Sequence, residues 1–184
     1  HTFSGLVRAD ARADAVRAHG IEPVGGTLDD VALLDAQART ADLVIHAAHA
    51  DHELSAKTLL LALEGSGKTL IHTSGSSVVG TQAGGHGVDD IFDEDTPFSP
   101  SPGRAARAAL NADILASSAN GLRSIIICPS LIYGLGHGVN TDSMQVPWLI
   151  ETARKNGVAK HYGPVENLWS NVHIDDLVDL YVLA

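Results

Sequence analysis

Apolar and polar residues follow one another along the first half of the chain in the rhythm of a repeating strand–helix fold. Short apolar runs alternate with longer stretches that carry an apolar residue every three or four positions, patterns typical of strands and of helices. Strands are predicted at residues 2–8, 21–25, 42–48, 69–74 and 122–128, and helices at 10–19, 31–39, 53–63, 104–120, 146–156 and 175–184. The alternating order with short connections implies right-handed crossovers, and so predicts an α/β fold with a parallel sheet covered on both faces.

One strand and one loop stand out in this pattern. The run at 42–48 is almost continuously apolar, which predicts a strand buried on both faces. The stretch at 80–103 is rich in Gly, Pro, Asp and Ser and has little periodicity. Because loops of this length usually carry function or move, we expect one of these two roles for it.

The composition of the chain excludes several classes of partner. The 184 residues have a formal net charge of −10 and contain no run of Lys and Arg that could neutralise phosphates, so neither a nucleic acid nor an anionic membrane is expected. No apolar stretch approaches the ~20 residues that a membrane span needs. A single cysteine excludes a disulfide framework and favours a reducing compartment, so a cytoplasmic location is expected.

Two histidines after the third predicted strand raise the question of a metal. His49 and His52 are three residues apart and have acidic neighbours, a spacing that can place two imidazoles on one helical face. No third and fourth ligand occurs at a telling distance, so no metal site is predicted. His49 is instead expected to line a ligand site, because open α/β sheets bind ligands at the carboxyl ends of their strands.

Two arginines lie where an anionic ligand would be read. Arg8 directly follows the first predicted strand, and a guanidinium there can bind an anionic group through two hydrogen bonds; the alternative is a solvated surface arginine. Arg107 shares one helical stripe with Leu110 and Ile114, the stripe expected to face the sheet. This position indicates an anionic or oxygen-rich ligand near Arg107, and the alternative is an arginine that extends over the neighbouring loop.

Six motifs occur along the chain in an order that identifies a family. They are Leu6-Val-Arg8, Gly26-Thr-Leu-Asp-Asp30, Val44-Ile-His-Ala-Ala48, His72-Thr-Ser-Gly-Ser-Ser-Val-Val-Gly80, Cys128-Pro-Ser-Leu-Ile-Tyr-Gly134 and Val172-His-Ile-Asp-Asp-Leu177. In this order they resemble the NAD(P)-dependent epimerase/dehydratase family, the extended and atypical short-chain dehydrogenases/reductases. The resemblance implies a doubly wound, Rossmann-like sheet, with a dinucleotide-binding domain at 1–135 and part of a small C-terminal substrate lobe at 136–184, whose last helix returns to the main domain.

The resemblance also implies which residues hold the cofactor. Arg8 stands where the family reads the adenosine ribose, and an arginine there can pair with a 2′-phosphate, so NADP(H) is favoured over NAD(H). The other implied cofactor residues are Thr27 and Leu28 beside the adenine, Ala47, Ala48 and His49 beside a ribose, Thr73 beside the nicotinamide, Arg107 on the nicotinamide ribose, and Pro129, Ser130 and Ile132 on the carboxamide side.

The catalytic set departs from the family pattern. The Tyr and Lys of the family motif YxxxK fall on Gly103 and Arg107, and the expected serine falls on Gly75, between Ser74 and Ser76. An arginine can hold a ribose as the lysine does, but it stays protonated and cannot tune an acid. The catalytic candidates are therefore Ser74, Ser76 and Arg107, while His49, His137 and the substrate itself remain alternative proton donors.

The substrate residues implied by the resemblance are Gly75, His137, Met144, Trp148 and Trp169. The last three could form an apolar wall, or they could be ordinary core of the C-terminal lobe. The expected partner is a small-molecule substrate, and a homodimer is left open.

Two functions from different classes follow from these residues. One is an NAD(P)-dependent oxidoreductase or epimerase that moves a hydride to or from a small carbonyl or sugar-like substrate with a non-standard catalytic set. The alternative is a cofactor-binding sensor or regulator without turnover; an α/β domain of unrelated role is the third reading.

The family's first strand, its Gly-rich phosphate loop and the following helix have no counterpart in the sequence. A strand–helix unit of this kind takes about 25–30 residues. The sequence therefore predicts an internal fragment of a longer protein, whose own pyrophosphate site is incomplete.

Overall fold

The computed structural model describes residues 1–8 and 10–184, with the side chains of residues 10 and 11 left aside. The strands are β1 (Phe3–Val7), β2 (Ile21–Gly25), β3 (Leu43–His46), β4 (Thr69–Thr73), β5 (Arg123–Ile127), β6 (Leu131–Tyr133) and β7 (Asn171–His173). The helices are α1 (Asp10–Ala18), α2 (Val31–Thr40), α3 (Glu53–Leu63), α4 (Ala105–Ala116), α5 (Gln145–Asn156) and α6 (Ile174–Leu183), with 3₁₀ turns at Ser76–Val78, Pro102–Arg104 and Ser117–Asn120.

All the strands of the described chain pair in parallel, as an α/β fold requires. β1 pairs with β2, β4 lies between β3 and β5, and the two short strands β6 and β7, which the sequence pattern did not predict, pair with each other. The predicted strands and helices of the first half are present, with ends that shift by at most two residues. The α/β fold class with parallel sheets is therefore confirmed.

One apolar core unites the first two sheets. It consists of buried residues from α2, α3, α4 and β4, among them Leu34, Leu59, Leu63, Leu70 and Ile114, and both Leu6 of β1 and Val44 of β3 pack against it. Within the described residues, β1 has no second neighbour beyond β2, and β3 has none beyond β4. Two sheets thus share one core, while an edge of each remains unpaired.

Burial of β3 differs from the prediction made for residues 42–48. Val44 packs against the core and His46 is buried, but Leu43 is 46% exposed and Ile45 is 49% exposed. Side chains alternate between the two faces of a strand. The second core cluster, in which Leu177 of α6 packs on Ile71 of β4 and Ile127 of β5, does not extend to β3. The prediction that this strand is buried on both faces is therefore wrong.

The start of α6 is built by a histidine and a glycine. The backbone N–H of Asp175 donates a hydrogen bond of 3.3 Å to Nδ1 of His173, which caps the helix. A Cβ atom at Gly134 would lie 2.5 Å from Nε2 of His173, and the φ angle of +104° at Gly134 is one that side chains rarely allow. The glycine therefore makes room for the capping imidazole.

Two histidines occupy the end of the core that faces α3. His46 and His72 lie opposite each other on β3 and β4, with rings stacked 5.0 Å apart and their Nδ1 atoms 2.9 Å apart. Burial, helped by the neighbouring imidazoles of His72, His52 and His49, lowers the pKa of His46 to about 4. Burial also lowers the pKa of His72. Both rings are therefore neutral near neutral pH.

We predict that acid destabilises the protein through His46. An unfolded histidine takes up a proton near pH ~6.5, whereas folded His46 resists protonation down to a pKa of about 4. Between these values the unfolded state binds more protons, so the free energy of unfolding should fall as the pH falls, by up to about 1.4 kcal/mol per pH unit. Urea denaturation at a series of pH values across this window measures the slope.

The variant His46→Gln should flatten that slope, and the exposed His19→Gln serves as the matched control with an unchanged slope. A slope in His46→Gln equal to that of the unaltered protein would contradict the assignment.

Candidate functional site

The loops that follow the parallel strands meet at one edge of the sheet. Because strands β3, β4 and β5 run in parallel, their carboxyl ends lie side by side, which is where open α/β sheets bind ligands. Most of the predicted cofactor residues lie at or after the carboxyl end of a strand. In the β3–β4–β5 sheet these are Ala47, Ala48 and His49 after β3, Thr73 at the end of β4, and Pro129 and Ser130 after β5; in the separate β1–β2 sheet they are Arg8 after β1, and Thr27 and Leu28 after β2. Arg8, Thr27, Ala47, Ala48 and His49 are exposed.

Arg107 is held at this edge by a carboxylate and a hydroxyl. Its Nε and Nη2 atoms donate to the two carboxylate oxygens of Asp51 at 2.6 Å and 2.5 Å, and Nη1 donates to Oγ of Ser77 at 3.1 Å. The Arg107 side chain is only 12% exposed. The hydrogen bonds from Arg107 hold the pKa of Asp51 below its usual range. The guanidinium therefore ties α4 to the loops after β3 and β4.

Gly75 leaves the space that this guanidinium fills. A Cβ atom at Gly75 would lie 3.3 Å from Nη1 of Arg107, tighter than most contacts of a real side chain. The resemblance places the family's serine at this position. A serine here would press against Arg107, so the loss of that serine and the gain of the arginine fit together.

Ser74 lies in a separate hydrogen-bonded group beside Arg107. Its Oγ atom is buried and accepts a hydrogen bond of 2.9 Å from Nδ2 of Asn111 on α4. The backbone N–H of Ser74 donates to the carbonyl oxygen of Ile127 at 2.8 Å, which brings the exposed Cys128 close to Ser74. Partial desolvation raises the pKa of the Cys128 thiol. Oδ1 of Asn111 is buried and has no partner in the described part of the chain. The group thus offers a fixed hydroxyl, a neutral thiol and a free amide oxygen.

Ser76 connects two loops through its backbone. It begins the 3₁₀ turn Ser76–Val78, and its N–H donates to the carbonyl oxygen of Pro129 at 3.1 Å. The serine that contacts Arg107 is Ser77, not one of the predicted Ser74 and Ser76. The catalytic prediction of these two serines stays a prediction.

Thr73 and Ile132 face the other side of the sheet. The Thr73 hydroxyl lies 2.5 Å from the Tyr181 hydroxyl of α6, and burial raises the pKa of Tyr181. Ile132 lies opposite Val172 in the β6–β7 pair and packs against the second core cluster. Both predicted cofactor residues therefore already have protein partners.

Of the five predicted substrate residues, Gly75 follows β4 and the other four lie in the C-terminal region. Nε2 of His137 lies 3.2 Å from a carboxylate oxygen of Asp175. Met144 is 86% exposed, Trp148 is 64% exposed and Trp169 is 63% exposed. The alternative that these three are ordinary core of a lobe is wrong for the described structure, whereas their role as an apolar wall stays a prediction.

His49 and His52 use ring nitrogens in local hydrogen bonds. The N–H of Asp51 donates to Nδ1 of His49 at 3.2 Å, and the N–H of Ser55 donates to Nδ1 of His52 at 3.2 Å, where His52 caps α3. Across residues 1–8 and 10–184, no group of three or more His, Cys, Asp or Glu side chains is placed to hold a metal ion.

Sequence reasoning missed several side chains of the site. Asn111 follows Arg107 by four residues on one helix, a spacing that puts both on the same face and could have identified it. Asp51 is 56 residues from Arg107, and no spacing rule links the two.

Among the helices that the structure describes, none is long and apolar enough to cross a membrane.

Comparisons with known proteins agree with this arrangement of strands and loops. The family model for the NAD dependent epimerase/dehydratase family matches residues 1–184. Oxidase ucsJ of an Acremonium species is 34% identical over 202 residues, which cover 99% of this chain and 58% of that protein. An uncharacterized protein of Schizosaccharomyces pombe is 31% identical, covering 100% of this chain and 62% of its own length. The chain thus spans about three-fifths of the length of the curated relatives it matches.

The fold is also that of solved structures. The crystal structure of dTDP-glucose 4,6-dehydratase from Bacillus anthracis in complex with NAD matches with a TM-score of 0.76 at 19% identity, over 99% of this chain and 62% of that one. A likeness at this identity concerns the fold. The family model matches residues 1–184, and the chain therefore belongs to the NAD dependent epimerase/dehydratase family.

Proposed function

We propose that the protein is an NAD(P)-dependent oxidoreductase or epimerase that transfers a hydride to or from a small carbonyl or sugar-like substrate. The observation that carries the proposal is the position of Arg107, held by Asp51 and Ser77 at the carboxyl edge of the sheet, beside Gly75. Membership of the family supports the cofactor class. The substrate class is inferred from the family as a whole.

The residues at the sheet edge fit a dinucleotide. Exposed alanines at 47 and 48 follow β3 and leave room above it, and Gly75 follows β4. Asn111, whose Nδ2 bonds to Ser74 next to Gly75, has a buried Oδ1 with no partner among the described residues, an acceptor for an N–H or O–H group of a ligand. The cofactor, when bound, supplies the hydride acceptor or donor at its nicotinamide ring.

NADP(H) is the preferred cofactor in this proposal. Arg8 is exposed directly after β1, where a guanidinium can pair with a 2′-phosphate through two charge-assisted hydrogen bonds. The solved structure cited above contains NAD, and that fact concerns the other protein alone. The preference therefore depends on Arg8 and is open to direct measurement.

The chain's own side chains divide the work in this proposal. Arg107 binds and orients ribose or substrate oxygens, since a guanidinium keeps its proton. Ser74 and Ser76 supply hydroxyls for the reacting oxygen, Ser74 from a fixed position set by Asn111. None of these groups is an effective base by itself, so proton transfer requires a further route.

A sensor without turnover is the second candidate. The observation in its favour is the ion pair itself: Asp51 occupies two of the guanidinium nitrogens that a ligand would use. A ligand that binds Arg107 would compete with Asp51 and shift the loop after β3. Such a displacement reports binding without any chemical step.

The pyrophosphate site belongs, in this proposal, to a segment outside the 184 residues. Support comes from the unpaired edges of β1 and β3 in the described structure, which share one core and could accept a further parallel strand. Its Gly-rich loop would hold the phosphates at a helix N-terminus. The experiments below therefore use the full-length protein. A homodimer and a cytoplasmic location stay predictions.

Arg8 is expected to decide which cofactor the protein binds. Calorimetric titration should find that NADPH binds more tightly than NADH, and that Arg8→Ala weakens NADPH binding by about 10- to 100-fold, the equivalent of charge-assisted hydrogen bonds. NADH binding should change little, because it lacks the 2′-phosphate. The exposed Arg12→Ala is the matched control. Equal binding of both cofactors to the wild type would overturn the NADP(H) preference, and failure of both to bind would overturn the proposed function.

Turnover with NADPH distinguishes an enzyme from a sensor. With a panel of carbonyl and sugar-nucleotide substrates and NADPH, the wild type should turn over at least one compound, and Arg107→Ala should lower kcat/KM by about 100-fold or more, because substrate orientation is lost. Arg104→Ala removes a charge one turn earlier on the same segment and should have a much smaller effect. Tight NADPH binding with no turnover on any substrate would favour the sensor.

A further inference from the structure

Five side chains are hydrogen-bonded in series from the core to the surface. Nδ1 of His72 lies 2.9 Å from Nδ1 of His46, and Nε2 of His46 lies 2.9 Å from Oγ of Ser55. Oγ of Ser55 lies 2.9 Å from Nδ1 of His52, and Nε2 of His52 lies 3.3 Å from a carboxylate oxygen of Asp29. We call these residues the histidine chain.

The histidine chain crosses the protein from its interior to solvent. His72 and Ser55 are fully buried at 0% exposure, and His46 is 5% exposed. The His52 side chain is 26% exposed and that of Asp29 is 78% exposed. Burying polar groups at this depth costs free energy unless each group has a hydrogen-bond partner. The direction of each hydrogen bond then shows which ring nitrogen carries a proton.

Ser55 fixes that direction. The backbone N–H of Ser55 donates to Nδ1 of His52 at 3.2 Å, so this nitrogen carries a lone pair. The Ser55 hydroxyl has one proton, and both the Nδ1 atom and the carbonyl oxygen of His52, the latter at 3.1 Å, are acceptors for it. Oγ of Ser55 is therefore the acceptor toward Nε2 of His46. If the hydroxyl donated to His46 instead, Oγ of Ser55 and Nδ1 of His52 would face each other with a lone pair on each atom and no proton between them.

The remaining bonds follow from this one. His46 donates through Nε2, so its Nδ1 accepts, and His72 must donate through Nδ1. Nε2 of His72 is then an unprotonated acceptor at the inner end, and this atom has no hydrogen-bond partner in the described residues. At the outer end, Nε2 of His52 donates to the Asp29 carboxylate. All protons of the chain point outward and leave one buried base at its start.

The inner end of the chain adjoins the candidate site. Burial is the main cause that lowers the pKa of His72, the backbone of Ala50 raises it and the charge of Arg107 lowers it, so both Ala50 and Arg107 lie near the ring. Ala50 belongs to the loop after β3, between the exposed Ala47–His49 segment and Asp51, which binds Arg107. A proton released at this edge of the sheet is therefore close to the buried base.

We propose that the histidine chain is a proton relay between the candidate site and the surface at Asp29. One proton enters at Nε2 of His72, and the Nδ1 proton of His72 passes to Nδ1 of His46. The Nε2 proton of His46 passes to Oγ of Ser55, the hydroxyl proton of Ser55 passes to Nδ1 of His52, and the Nε2 proton of His52 leaves to Asp29 or water. One proton enters and one leaves, every ring ends neutral, and the reverse order returns a proton to the site.

The environment favours transfer over storage of the proton. The groups that face the two buried rings are His49 and His52 from the loop before α3, and Arg107 from α4. Among the described residues, no carboxylate is found to act on either ring, and burial itself disfavours a charged imidazole. A proton therefore passes along the chain and does not rest on His46 or His72.

The relay rests on the proposed function. It supplies the proton transfer for which Arg107, Ser74 and Ser76 are not effective bases. Oxidation of an alcohol by loss of a hydride also releases a proton, and the reverse reaction consumes one. Arg107 stands where the family's lysine is expected and cannot exchange its proton near neutral pH. The relay gives that proton a route through the chain's own residues.

The first test needs no turnover. Nitrogen-15 NMR of the histidine rings in the full-length protein near neutral pH should show His72 protonated at Nδ1 alone, and His46 and His52 protonated at Nε2 alone. Finding His72 protonated at Nε2, or a doubly protonated His46, would overturn the outward direction and the relay with it.

The second test cuts the chain in its middle. In Ser55→Ala the Nδ1 proton of His72 should exchange with solvent about tenfold more slowly than in the wild type, because the exit is interrupted. The matched control is Thr58→Val, which removes a buried hydroxyl one turn later on α3 that bonds only to the Leu54 carbonyl. If exchange in Ser55→Ala is as fast as in Thr58→Val, the relay is overturned.

A third variant guards against misfolding of Ser55→Ala. Asp29→Asn changes only the exposed end, and exchange at His72 should slow by a few fold; no slowing would count against Asp29 as the exit.

Turnover then separates the relay from the proposed function. Ser55→Ala should lower kcat by about tenfold or more and reduce the solvent deuterium isotope effect, while NADPH binding stays as in Thr58→Val. Unchanged kcat and isotope effect in an active enzyme would overturn the relay alone, whereas an inactive wild type with the expected exchange rates would overturn the proposed function alone.

Discussion

The parallel pairing of β4 with β3 on one side and β5 on the other is the constraint on which the rest of the structure depends. It sends the chain back to the same edge of the sheet after each strand, so segments far apart in sequence end side by side. The N–H of Ser74 then donates to the carbonyl oxygen of Ile127, and Arg107 donates to Asp51. The same pairing puts His46 opposite His72 at the boundary between the apolar core and the candidate site.

The ion pair of Arg107 with Asp51 limits what Arg107 can do chemically at the carboxyl edge of the sheet. A lysine at position 107 would be a single, adjustable charge, whereas the guanidinium is planar, permanently charged and engaged by two carboxylate oxygens. The pair is largely shielded on the arginine side, so its geometry is firmer than that of a surface ion pair. Binding and orientation are therefore the natural roles of Arg107, and proton transfer must come from other groups.

The same atoms of the histidine chain satisfy the hydrogen bonds of two buried imidazoles and form the proposed route for a proton. A core that contains two imidazoles must hydrogen-bond them, and Ser55 and His52 do so while also starting α3. The series leaves Nε2 of His72 without a partner among the described residues. Stability in acid and proton movement thus depend on the same buried rings.

Periodicity and element order in the sequence were sufficient to predict the fold class and most of the strands and helices. Helical spacing over 53–63 predicted α3 to the residue, and the order of strands and helices predicted parallel pairing, because a short crossover helix leaves few other topologies. The sequence also located the strand-end residues such as Arg8 and Ala47. What it could not give was β6, β7 and the exposed face of β3: short strands have weak periodicity, and burial depends on what covers them.

Only the tertiary structure decided which polar side chains meet. Asp51 and Arg107 are 56 residues apart, and His46 and His72 are 26 apart, so no local periodicity relates either pair. The histidine contact depends on the register of β3 and β4, since a shift of one residue would turn one of these side chains to the other face. The ion pair depends on the packing of α4 beside the loop after β3. The sequence thus specified the strands and their ends, and the register of the folded sheet specified the chemistry between them.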